Sequence, residues 1–135
     1  MREDGRAAAV SRILIVEDEF LVSEMIAEML AALGYAVAAQ AANLGDVRRA
    51  LASGAFECVL LDVRLGTDLT VEAADILVER GVPFAFVTGY TEPPEPRHAG
   101  APVLNKPFSM EQLRVLLERL IGPAPVHQAS RKQAG

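Results

Sequence analysis

The sequence predicts a small doubly wound α/β domain, a parallel sheet with helices on both faces. Three observations lead there. Short apolar runs alternate along the chain with segments whose apolar residues recur at helical spacing. The clearest runs, "RILIV", "FECVLLDV" and "VPFAFVTG", are apolar at consecutive positions, as strands covered on both faces are. The chain has 135 residues, 51% of them hydrophobic, which suits one domain core and leaves no room for a second of comparable size.

Each element follows from local pattern. After a polar, Ala-rich lead, "RILIV" is short and β-branched, a strand. Residues 20–33 change period: Leu21, Val22, Met25, Ile26, Met29, Leu30 and Leu33 recur at helical spacing, and Gly34 supplies the stop. "YAVAAQAA" is a weaker, Ala-heavy strand, and "LGDVRRALASG" a short helix ended by Gly54. "FECVLLDV" is the next strand, followed by the glycine-containing loop "RLGTD". Helical spacing returns at Val71, Ala74, Ile76, Leu77 and Val78 and closes at Gly81. "VPFAFVTG" and "APVLN" complete five strands, each introduced by a Pro-containing turn. The last helix begins at Ser109, where "SMEQ" has the capping-box pattern; Leu113, Leu116, Leu117, Leu120 and Ile121 then line one face. Between "TGY" and "APVLN" an alternating fold calls for a helix. The segment there is "TEPPEPRHAG", and prolines are costly in a helix interior, so a loop or at most one turn is expected. Flexible ends are expected over residues 1–10 and 122–135, around a folded unit of residues 11–121.

Composition narrows the function. A net charge of −5 argues against a broad nucleic-acid or membrane surface as partner. No apolar stretch is long enough to span a bilayer, and "MREDGRAAAVSR" has no secretory core, so a cytoplasmic location is expected. The single Cys58 allows neither an internal disulfide nor a metal motif and reads as a small buried hydrophobe.

Ligands of open α/β sheets sit beyond the carboxyl ends of the strands. After "ILIV" come Glu17, Asp18 and Glu19; after "CVLL", Asp62; after "FAFV", Thr88 and Gly89; after "PVLN", Lys106. Carboxylates held close repel one another unless a cation intervenes, and Mg²⁺ suits a few carboxylates plus waters and phosphate oxygens. Asp62 can then act as a nucleophile that forms an acyl-phosphate. Phosphoryl transfer needs positioning and charge neutralisation, which Mg²⁺ supplies on one side and the Lys106 ammonium on the other. The Thr88 hydroxyl can donate to a remaining phosphoryl oxygen.

The ordered set "VEDE", "LLDVR", "VTGY" and "NKPF" resembles the receiver domain of two-component response regulators over roughly residues 11–121. The resemblance implies a flavodoxin-like five-stranded parallel sheet of order 2-1-3-4-5. It also implies phosphoryl transfer from a histidine kinase or histidine phosphotransferase onto Asp62. The metal would be held by Glu17 (often through water), Asp18, Asp62 and the backbone carbonyl of Arg64. "PFAFVTGY" is similar to the signature of the FAT GUY response regulators, single-domain receivers of Alphaproteobacteria whose fourth helix is atypical. That likeness implies a stand-alone member of a phosphorelay, its fourth helix short or missing. Its output would be protein–protein binding or drainage of phosphate from a shared kinase, with a downstream protein the sequence does not name.

Ordinary receivers often carry an aromatic residue three before the lysine; Val103 stands there, and Tyr90 is the candidate to take over its switching role. Bulky residues two past Asp62 and two past Thr88, Arg64 and Tyr90, imply slow self-dephosphorylation rather than conventional enzyme turnover. Glu19 reads as a solvated first-turn acid, Arg48 and Arg49 as a solvated helix face, His98 and His127 as surface histidines, and Phe84 and Phe108 as packing. Two rival functions stand beside the receiver: a binding module of the same fold that no longer cycles phosphate, and a Mg²⁺ phosphohydrolase. The latter lacks a general acid two past Asp62, where Arg64 stands.

Overall fold

The computed structural model describes residues 10–89 and 94–123. In chain order the elements are β1 (Arg12–Val16), α1 (Phe20–Leu33), β2 (Ala36–Ala41), α2 (Leu44–Ser53) and β3 (Cys58–Asp62). The short strands β4 (Arg64–Leu65) and β5 (Asp68–Leu69) follow, then α3 (Val71–Arg80), β6 (Phe84–Thr88), β7 (Val103–Asn105) and α4 (Met110–Ile121). Five strands pair in parallel in the order β2-β1-β3-β6-β7, which is 2-1-3-4-5 when only the strands of this sheet are counted. The predicted doubly wound fold is the observed one.

Strand residues alternate between two cores. Ile13, Ile15, Cys58, Leu60, Ala85 and Val87 share one cluster with Ile26 and Leu30 of α1 and Leu113 and Leu117 of α4. Leu14, Val16, Val59, Leu61, Phe84 and Phe86 share the other with Val47 and Leu51 of α2 and Ala74 and Leu77 of α3. The central strands β1, β3 and β6 are therefore apolar at consecutive interior positions because each face has its own helical cover. The caps set the boundaries. Gly34 ends α1 at a φ of 96°, a left-handed conformation a side chain would disfavour, and Tyr35 N–H donates back to the Leu30 carbonyl. At α4 both bonds of the capping box form between Ser109 and Gln112. Leu21 and Met25 recur at helical spacing, yet both are exposed on α1.

One region and one residue depart from the sequence reading. The expected loop "RLGTD" contains an antiparallel hairpin, β4 on β5. The proline-rich segment forms a single 3-10 turn at Pro96–His98, which agrees with the short fourth helix; residues 90–93 lie outside the described residues. His98 is not the surface histidine its loop suggested. It is buried, its Nε2 lies 2.6 Å from Asp75 Oδ1, and its ring meets Phe84 and Phe86 edge-on or tilted. Arg97 donates to the same carboxylate at 2.9 and 2.7 Å, so one acid on α3 fastens the turn. Most of the expected flexible ends, with His127, also lie outside the described residues. Among the described residues no helix is long and apolar enough to cross a membrane.

Candidate functional site

The pairing of β1 with β3 brings three acids together. Glu17 and Asp18 follow β1, Asp62 ends β3, and a carboxylate oxygen from each lies within 4.8 Å of the others. Glu17 and Asp62 are buried and Asp18 is exposed. Lys106 reaches the same edge from the far end of the chain. Its backbone N–H donates to the Thr88 carbonyl at 2.8 Å, which carries the β6–β7 ladder one residue beyond β7. From there its Nζ stands 2.8 Å from Glu17 Oε1 and 3.4 Å from Asp62 Oδ2. Thr88, buried at the end of β6, and Gly89 line a cleft of about 660 Å³ with Asp18, Asp62, Arg64 and Lys106. A Cβ at Gly89 would lie in ordinary contact with the Lys106 stem, 3.7 Å from its Cε.

Charge at this edge is unbalanced, three carboxylates to one ammonium. Burial raises the Glu17 carboxyl above its ordinary value and the Asp62 charge adds to that; hydrogen bonds from Lys106 and from the Glu19 amide oppose it. Burial pulls Lys106 down, but Glu17 and Asp62 outweigh it and the ammonium is held more tightly than usual. The surplus negative charge fits a hard divalent cation, because every side-chain donor in the cluster is a carboxylate oxygen.

The backbone orients these acids. Arg64 N–H donates to Asp62 Oδ1 at 3.3 Å, while the Arg64 guanidinium reaches the Thr67 carbonyl at 3.4 Å. Glu19 is exposed at the N-cap of α1, and its N–H donates to Glu17 Oε2 at 3.1 Å. Sequence reading missed two residues here. Thr70 Oγ1 donates to the Asp62 carbonyl at 2.6 Å, and Gly66 N–H donates to Asp18 Oδ2 at 2.8 Å. Neither carries a signal, since nothing in a loop pattern says which acid it will meet. Tyr90, the candidate switch aromatic, lies outside the described residues.

Residues 13–118 match the family model for the response regulator receiver domain. The chain belongs to that family. Transcriptional regulatory protein PdtaR of Mycobacterium tuberculosis is 32% identical over 123 residues, 85% of this chain and 58% of that protein. The chain thus spans little more than half the length of this curated relative. SdrG from Sphingomonas melonis Fr1 superposes with a TM-score of 0.76 at 31% identity, over 83% of this receiver and 97% of SdrG. The receiver domain of sensor histidine kinase PA1611 from Pseudomonas aeruginosa PAO1 has a TM-score of 0.70 at 27% identity, over 84% and 99% of the two chains. That structure holds a magnesium ion in its active-site cleft. As a response regulator receiver domain, it belongs to two-component signalling.

Proposed function

We propose that this receiver accepts a phosphoryl group on Asp62 from the phosphohistidine of a histidine kinase or histidine phosphotransferase. The observation that supports this most is the Lys106 ammonium, 3.4 Å from Asp62 Oδ2 and 2.8 Å from Glu17 Oε1 beside the three clustered carboxylates. In the transfer, a carboxylate oxygen of Asp62 attacks phosphorus, the phosphorus–nitrogen bond of the donor breaks, and imidazole leaves with the electron pair. Glu17, Asp18, Asp62 and the Arg64 backbone carbonyl would hold Mg²⁺, which would supply charge neutralisation for the phosphoryl group. Lys106 balances the opposite side from a position it already occupies, so little reorganisation accompanies the reaction. Thr88 donates its hydroxyl to a phosphoryl oxygen, and Gly89 follows it in the lining of the cleft. Arg64 and Tyr90 are bulky residues two past Asp62 and two past Thr88, so the phosphorylated form hydrolyses slowly.

The functional unit is residues 11–121. Phe20 and Leu21 on α1 are 72% and 79% exposed beside the cleft, an apolar surface suited to the helices of the phosphodonor protein. The "PFAFVTGY" signature supports a FAT GUY-type role in a phosphorelay, with output by protein–protein binding or phosphate drainage. Tyr90 serves as the switch aromatic in place of Val103.

Incubation with Mg²⁺ and a small phosphodonor should add one phosphate by mass spectrometry, and none to Asp62→Asn. No gain in the wild-type chain would defeat the reading. A second reading, a binding module that no longer cycles phosphate, is favoured by Val103, 40% exposed where ordinary receivers place an aromatic. A Mg²⁺ titration separates the two, because a silent site gives no metal-dependent change.

A further inference from the structure

We propose that the β4–β5 hairpin is a strap that presets Asp18 for the cation, with Gly66 and Thr70 as positioning residues; this rests on the phosphoryl-site reading above. The three acids are not held alike. Glu17 is buried and bonded at both carboxylate oxygens, by Lys106 and by the Glu19 amide. Asp62 is buried between the Arg64 amide and Lys106. Asp18 is exposed, so burial does not restrict its side chain. Its carboxylate is oriented instead by Gly66 N–H, 2.8 Å from Oδ2 and 48 residues away in sequence.

The hairpin is built to deliver that amide. Arg64 pairs with Leu69 and Leu65 with Asp68, leaving Gly66 and Thr67 as a two-residue turn. Gly66 has a φ of +61°, which an L side chain adopts only with strain. Leu65 is buried and roots the first strand in the core below. The base is closed by Thr70. Its hydroxyl is 2.6 Å from the Asp62 carbonyl and 3.1 Å from that of Val63, and its own N–H donates to the Val63 carbonyl at 3.1 Å. Thr70 is the N-cap of α3 but makes no side-chain cap bond. A threonine there ordinarily caps its helix. Here the hydroxyl turns back to tie the start of α3 to the end of the acceptor strand.

The distance from Asp18 to Asp62 is therefore set through one short, doubly fastened piece of backbone. A ligand ordered before the ion arrives loses less freedom when it binds. By reciprocity, a bound ion must in turn protect the Gly66 amide.

Mg²⁺ affinity of the full chain, measured by calorimetry, and Gly66 amide hydrogen exchange test this together. Thr70→Val and Gly66→Ala should each weaken Mg²⁺ binding about 3- to 10-fold, the scale of one side chain's ordering. Thr70→Ser, which keeps the hydroxyl, should recover most of the loss, as a purely space-filling role would not require. Gly66 exchange should slow on adding Mg²⁺ to the wild type and quicken in Asp18→Ala. If Thr70→Val does not fold, Gly66→Ala and the exchange measurement decide. Folded variants that bind Mg²⁺ like the wild type, with Gly66 exchange unmoved by Mg²⁺ or by Asp18→Ala, overturn the strap alone. A wild-type chain that binds no Mg²⁺ overturns the site reading and the strap with it.

Discussion

Two charge clusters in this molecule are balanced in opposite ways. At the ends of β1 and β3, three carboxylates face one ammonium. On the flank of α3, the single carboxylate of Asp75 meets both Arg97 and His98. Burial pushes Glu17 up in the first cluster. In the second, hydrogen bonds from Arg97 and then His98 hold Asp75 well below the usual carboxylate range. Surplus charge is costly to fold around and is relieved by a bound cation, so it marks a place for binding. Saturated charge needs nothing more, and it holds Pro96–His98 against α3 where the alternating fold would otherwise have a helix.

The sharpest way to break this contrast is to remove a cation from one side and a base from the other. Lys106→Met should lower the rate of phosphate incorporation from a small donor by about 100-fold or more, the scale of losing one preorganised charge-stabilising group. His98→Ala should leave that rate within about twofold, because its cluster only fastens the turn. Equal losses in both would show that the two clusters are one machine.

Mg²⁺ should divide them next. Saturating ion stabilises the native state by mass action, about 2.7 kcal/mol at a hundredfold excess over Kd. Thermal unfolding should show the gain in the wild type and in Asp75→Asn, and its absence in Asp18→Ala. His98→Ala should itself cost about 2 kcal/mol in denaturant unfolding, through the buried space the ring vacates between Phe84 and Phe86. Its Mg²⁺ response should stay whole.

The same two clusters show what a sequence reveals and what it conceals. Lys106 and Glu17 are 89 residues apart, and the sequence still placed both on one edge of the sheet, though not in direct contact. Each follows an apolar strand, and a doubly wound sheet gathers its strand ends along one edge. Asp75 and His98 are only 23 apart, and the sequence did not bring them together. His98 lies in a proline-rich stretch without period, and a lone histidine there looks like surface until its aromatic neighbours are in place. The β4–β5 hairpin was concealed for a related reason, since strands of two residues have no pattern to read. Leu21 and Met25 mark the limit on helices. Apolar spacing reports the period of α1, but not which part of its stripe faces protein and which is left outward.

The finest effect is the pH dependence of stability, where the clusters pull in opposite directions. Folded Asp75 titrates below its ordinary value of 3.8, so the folded chain binds fewer protons than the unfolded one in that acid range. The stability it contributes is complete above the ordinary value and is lost as pH falls through the depressed one. Glu17 is the reverse. Its folded value lies above the ordinary 4.5, so its contribution is complete below that and is lost as pH rises through the raised value. Denaturant unfolding of the Mg²⁺-free chain across this range should therefore separate two variants. Asp75→Asn should flatten the acid side of the stability profile, and Glu17→Gln should remove the decline on the neutral side. Mg²⁺ should suppress only the second difference, because a cation beside Glu17 favours its ionised form and leaves Asp75 untouched. Were both substitutions to flatten the same side, the opposition between a binding cluster and a holding one would not survive.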